Sequence, residues 1–198
     1  INGLSKISPE SIDLNKITNY ACDIEINKLN KPIGRQDQYI CSSKDIACFE
    51  YRKDGLVKEL ELKKNKLSAI KKSINTLYLI PSQIKRNSDL VLSKLKDEKS
   101  NFSKIRDLRN LMENFLRRDD SSVEESFDFF NKAVKESWEI KKSMTSVMNN
   151  ELEIQFNQIN KCPNYWIRLV GAGAGGFFLL SSKLDKESTE KLLKNLGF

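Results

Sequence analysis

Two apolar runs, Tyr165 to Val170 and Phe177 to Ser181, stand on either side of Gly171-Ala172-Gly173-Ala174-Gly175-Gly176. Each run has the length of a strand, and a joint almost without side chains can reverse the chain or let its backbone approach something closely. The segment therefore reads as strand, glycine turn, strand. Formally the turn satisfies G-x-G-x-x-G. A dinucleotide fingerprint also requires a helix opening directly after it, because the pyrophosphate rests on that helix N-terminus, and here Phe-Phe-Leu-Leu follows. The P-loop pattern fails as well, since no Lys-Ser or Lys-Thr comes after the glycines. Two readings stay open: a phosphate beside the bare backbone, or tight packing against another backbone.

The remaining elements alternate in type. Ser8-Pro9-Glu10 and Asp13 precede Leu14, Ile17, Ala21, Ile24 and Leu29, a spacing that predicts a capped amphipathic helix ending near Leu29. Glu25 falls four residues after Ala21 and eight after Ile17, so helical geometry puts a carboxylate on or beside the buried face. A rim glutamate in solvent is the alternative. Lys31, Pro32 and Gly34 break the helix and lead into the polar stretch Gln36-Asp37-Gln38-Tyr39. Ile46 to Tyr51 and Leu56 to Leu62 flank Lys53-Asp54-Gly55, a hairpin signal, and Thr76 to Pro81 is a further strand-length run.

A helical region opens at Lys85-Arg86-Asn87-Ser88. Phe102, Ile105, Leu108, Leu111, Met112, Phe115 and Leu116 mark one helix, and Val123, Phe127, Phe130, Val134, Trp138 and Met144 a longer one. Helices over Glu151 to Lys161 and Lys186 to Leu196 complete the series. Interleaving without repeated βαβ units predicts an α+β fold. One antiparallel sheet, holding the hairpin strands together with 76–81, 165–170 and 176–181, is expected under the helices of residues 86–148.

Composition removes several chemistries. None of the 198 residues is histidine, so Ser-His-Asp or Cys-His catalysis and His-ligated zinc or haem are excluded within this chain. A general base must be Asp, Glu, Lys, Tyr or Cys. Cys22, Cys41, Cys48 and Cys162 lack the short paired spacing of zinc or redox motifs and read as reduced thiols, consistent with a cytoplasmic setting. The net charge of +7 is spread among Asn, Asp and Glu, which reads as a solvated surface and not a nucleic-acid interface. The apolar run from Trp166 to Leu180 is too short and too interrupted to cross a bilayer, so no membrane partner is expected. No signal peptide pattern opens the chain, and the start at Ile1 leads us to expect a fragment.

Pro32-Ile33-Gly34-Arg35-Gln36-Asp37-Gln38-Tyr39 and Leu169-Val170-Gly171-Ala172-Gly173-Ala174-Gly175-Gly176-Phe177 together resemble the GHMP kinase superfamily, most of all its sugar-kinase branch of heptose phosphate kinases. Leu77 to Pro81 with Ile84 to Ser88, and Trp138 to Ser143, resemble further family segments in the family's order. The resemblance implies a remnant of the N-terminal kinase domain over 1–62, carrying the catalytic aspartate segment, and a ferredoxin-like C-terminal domain over 63–198. It implies Asp37 as catalytic base, Glu25 as Mg²⁺ ligand, and Gly34, Gln36, Gln38, Tyr39, Arg86 and Ser88 as substrate-binding residues. Gly171, Gly173, Gly175 and Gly176 would serve the ATP site, next to the segment bearing Asp37.

The implied reaction is ATP-dependent phosphorylation of a sugar or sugar phosphate, for which a metal and a carboxylate suffice. The family's phosphate loop has no counterpart in these residues, so an N-terminal segment of the same protein is an expected partner, and a homodimer is left open. Ala174 stands where the family has glycine, and a methyl there is expected to require negative φ. A catalytically inactive relative serving as a binding module is the competing reading.

Overall fold

The helix expected after Asp13 is present as α1 (Leu14–Cys22) in the computed structural model, which describes residues 14–43, 45–85, 91–93, 102–144 and 147–198. It continues as a π-helical turn, Asp23–Lys28, and ends at Leu29, after which Asn30 takes φ +50°. The wider turn changes which side chains are buried. Thr18, Ala21 and Cys22 are buried, whereas Ile24 and Leu29, assigned to the apolar stripe by α-helical spacing, are 47% and 60% exposed.

Gln36 to Tyr39, expected as a polar stretch between ordered elements, lies within the short helix α2 (Gln36–Ser42). Arg35 reaches across to donate from Nη1 to the Gly55 carbonyl at 2.9 Å, and at the far end the Ser42 and Ser43 hydroxyls donate to the Tyr39 carbonyl. The seryl hydroxyls supply donors to a carbonyl near the C-terminal end of this short helix, while Arg35 ties its start to the hairpin turn. Between them Tyr39 packs edge-on against Phe49 and Tyr51 of the hairpin. That hairpin, β1 (Cys48–Tyr51) and β2 (Val57–Leu60), pairs Tyr51 with Val57 and turns at Gly55, whose φ is +84°.

The chain divides into two compact units, Ile1–Leu62 and Lys63–Phe198. The expectation of a single five-stranded sheet is corrected: β1 and β2 form a two-stranded sheet of their own. The three-stranded sheet of the second unit has the order β3-β5-β4, from β3 (Leu77–Pro81), β4 (Asn164–Leu169) and β5 (Phe177–Ser182), all antiparallel. In β2 the central Lys58 and Glu59 are exposed, a pattern suited to a solvated strand and not to the interior of a sheet.

Helix α3 (Lys64–Ile74) was not among the sequence expectations, and its burial explains why. Its buried positions are Lys66 and Ala69, so no stripe of large apolar residues announces it. Helices α4 (Phe102–Arg117), α5 (Val123–Lys142), α6 (Asn150–Ile159) and α7 (Lys186–Asn195) follow the expected periodicities. Ser122 and Glu125 close a capping box on α5, while Asn149 and Asp185 cap α6 and α7.

One face of the sheet, with Ile80, Ile167, Leu169, Phe178 and Leu180, meets Trp138 of α5, Leu152, Phe156 and Ile159 of α6 and Leu193 of α7. Cover therefore comes from α6 and α7 as well as from the helices before residue 148. Where α5 crosses β4, Asn131 Oδ1 accepts from Trp166 Nε1 at 2.8 Å, so the indole is buried with its donor satisfied.

Candidate functional site

Glu25 lies within the π-helical turn and is half-buried. Its Oε2 accepts from Gln38 Nε2 at 3.0 Å, linking the turn to α2. Gln38 is only 9% exposed, and its Oε1 is buried without a hydrogen-bond partner. Asp37 precedes it in the first turn of α2, where the helix dipole favours a carboxylate, and is exposed. Gly34 and Gln36 are exposed as well; a Cβ on Gly34 would meet nothing within 4 Å, so close packing does not explain that glycine. Tyr39 donates from its hydroxyl to Asn19 Oδ1 at 3.1 Å and lines an open cleft of about 850 Å³ with Ser42, Phe49 and Arg52.

Cys22 and Tyr51, which no motif marks, lie within electrostatic reach of Glu25 and Asp37 respectively. Burial pushes the Cys22 thiol up, with the Arg35 guanidinium opposing and Glu25 adding to the shift. Burial likewise raises the Tyr51 hydroxyl, helped by Tyr39, Cys22 and Asp37. Cys22 is an ordinary buried apolar position by periodicity and Asn19 an ordinary polar one, so nothing along the chain marks either as a neighbour of the site.

The second part of the expected site is in the other unit. The turn between β4 and β5 is held by its own backbone: Ala174 N donates to the Val147 carbonyl at 2.8 Å, Gly176 N to the Ile84 carbonyl at 3.0 Å, and Ser82 N and Oγ both donate to the Gly176 carbonyl. Lys141 Nζ donates to the Gly171 carbonyl. Gly175 has φ +145°, and a Cβ there would come within 2.6 Å of the Ile84 oxygen; at Gly173, φ +107°, it would lie 3.0 Å from the Val147 Cα. Close approach to another backbone, one of the two readings left open for the turn, thus accounts for these two glycines. Ala174 takes φ +58°, which corrects the expectation of negative φ; the hydrogen bond its N–H donates to the Val147 carbonyl holds the left-handed backbone despite the methyl. Arg86 and Ser88 lie outside the described residues.

No protein-family model matches the chain, and no curated protein does. Solved structures do. Over 98% of its length the chain is similar to mevalonate kinase of Methanococcus jannaschii, at TM-score 0.63 and 16% identity, covering 56% of that chain. The L. major mevalonate kinase in complex with R-mevalonate matches over 98% at TM-score 0.64 and 11% identity, covering 57% of that chain. A D-glycero-D-manno-heptose 1-phosphate kinase from Bacteriodes thetaiotaomicron matches over 95% at TM-score 0.53 and 15% identity, covering 50% of that chain. All are GHMP-family kinases, and the chain has the α+β fold of the matching portion. It spans about half the length of each.

Proposed function

We propose that this chain supplies the carboxylates and the C-terminal portion of an ATP-dependent kinase acting on a hydroxyl of a sugar or sugar phosphate. The observation that carries this reading is the likeness of fold, along 95–98% of the chain, to kinases of small hydroxylated acceptors. Asp37 is exposed at a helix start, where its carboxylate can orient an incoming hydroxyl and accept its proton. Gly34 leaves open space beside that segment, and Gln36, Tyr39, Arg86 and Ser88 are the acceptor-binding residues of this reading.

Mg²⁺ is held by one or two carboxylates and completes its shell with phosphate oxygens and water. Glu25, a single half-buried carboxylate beside an unsatisfied buried amide oxygen, fits that demand. When bound, the cation neutralises the phosphate oxygens. The glycine turn supports the nucleotide side through its rigidity, and the phosphate loop comes from a segment outside this chain.

A coupled assay for ADP release, run with the whole protein on a panel of aldoses, their phosphates and mevalonate, tests the reading. Acceptor-dependent release with a sugar or sugar phosphate is the expected result. ATP binding without release on any acceptor overturns it in favour of an inactive binding module, a reading favoured by the packing that already explains Gly173 and Gly175.

A further inference from the structure

Gln38 carries an unpaired requirement that the fold does not meet. Its amide cannot be turned round to cure it: a flip would set Oε1 against the Glu25 carboxylate, an acceptor against an acceptor, so the 3.0 Å contact to Oε2 fixes Nε2 as the inner donor. Oε1 is then left buried with no donor, in a residue more than nine-tenths covered. Leaving such an oxygen unsatisfied is costly, and a donor arriving from outside the described residues would remove that cost. The second observation is backbone. Glu25 is carried on a π-helical turn, a rare geometry that recurs at functional sites.

We infer that Gln38 is a positioning residue: Nε2 holds the Glu25 carboxylate in a metal-binding orientation, and Oε1 accepts a hydrogen bond from a water in the shell of a divalent cation bound by Glu25. The inference rests on the proposed metal role of Glu25 and assigns Gln38 to the metal's outer shell, away from direct contact with the acceptor sugar. Partners of this kind are worth about 10–100-fold in metal affinity.

Titrating the chain with Mn²⁺ alone and reading the loss of the free-ion electron paramagnetic resonance signal tests it, on wild type, Glu25→Gln, Gln38→Leu and Gln38→Asn, with circular dichroism to verify that each is folded. The expected result is binding by wild type, its loss in Glu25→Gln, and an affinity about 10-fold or more weaker in folded Gln38→Leu. In the whole enzyme, Gln38→Leu should raise the Mg²⁺ concentration at half-maximal rate and be rescued by excess Mg²⁺, with KM for the acceptor little changed. Unaltered Mn²⁺ affinity in both Gln38 variants, with Glu25→Gln still abolishing binding, overturns the role of Gln38 while leaving the kinase reading intact. Absence of Mn²⁺ binding by wild type, or binding that survives Glu25→Gln, overturns both the metal role of Glu25 and the inference built on it.

Discussion

Asp37 is separated from its neighbours by consequence more than by environment. Replacing it with Asn keeps the shape and the helix start but removes the proton acceptor, so Asp37→Asn in the whole enzyme should lose most turnover while ATP affinity, measured by calorimetry, stays near wild type. Near-normal turnover would make Asp37 a structural residue of α2. In the glycine turn two neighbours should respond in opposite directions. Gly175→Ala places a Cβ within 2.6 Å of the Ile84 oxygen at φ +145°, and urea unfolding should register a loss of at least about 2 kcal/mol. Ala174→Gly relieves a left-handed alanine at φ +58°, offset in part by glycine's freedom in the unfolded chain, so the change should lie between zero and a gain of about 1 kcal/mol.

Lys66 yields a pH-dependent test. Its side chain is wholly buried, with Nζ donating to Ser121 and Ser126 hydroxyls 3.5 Å from the centre of the Phe115 ring, and burial holds its pKa below the usual 10.5, with Arg118 adding to the shift and Asp120, Glu125 and Asp119 opposing it. The unfolded chain binds this proton more tightly, so the cost of burying the cation is fully present below the folded pKa and fades as pH rises towards the unfolded value. Lys66→Met should therefore be most favourable relative to wild type at neutral pH and below, the difference in melting temperature narrowing as pH rises towards the unfolded lysine value of 10.5. A difference independent of pH would mean that Lys66 is not buried as a cation.

At the scale of elements, α5 is the best-marked helix and α3 the least. Ser122 accepts from Glu125 N at 3.1 Å, while the Glu125 carboxylate accepts from Ser122 N at 2.7 Å. Ser122→Ala keeps the second bond and removes the first, and should cost about 1 kcal/mol by chemical denaturation. A cost indistinguishable from zero would place the stability of that end in the packing behind it. The capping residues, the heptad-like stripes of α4 and α5 and the hairpin glycine are all local signals, which is why those elements are legible in the residues. Helix α3 is not, because a lysine stem and Ala69 replace the apolar stripe. Nor is α2, whose start is tied to the hairpin by Arg35 reaching Gly55 and whose last turn is met by the seryl hydroxyls after Tyr39. The π-helical turn is invisible for a related reason: spacing is converted to faces by assuming α geometry, and the assumption fails where Ile24 turns outward.

For the whole molecule, among the described residues Lys63–Phe198 contains every member of the principal core cluster, from Ile80 to Leu193, and the first unit contributes none of it. Residues 63–198 produced alone should thus fold with a cooperative thermal transition, whereas residues 1–62 alone should show none, since an isolated two-stranded hairpin is at best marginal in water. Loss of the transition from the longer piece would mean that its core depends on the first unit. By itself the sequence determined the α+β class, the order of most helices and strands, the reversal at the glycines and the absence of imidazole chemistry, because caps, apolar periods and residue types are properties of neighbours along the chain. Only the tertiary structure decided that the strands split into two sheets, that Gly173 and Gly175 are required by Val147 and Ile84, and that Gln38 closes on Glu25 while leaving its oxygen unpaired. The glycine and Gln38 contacts join segments 13 to about 90 residues apart, and distance along a chain carries no signal for which backbone oxygen or carboxylate will be met across it.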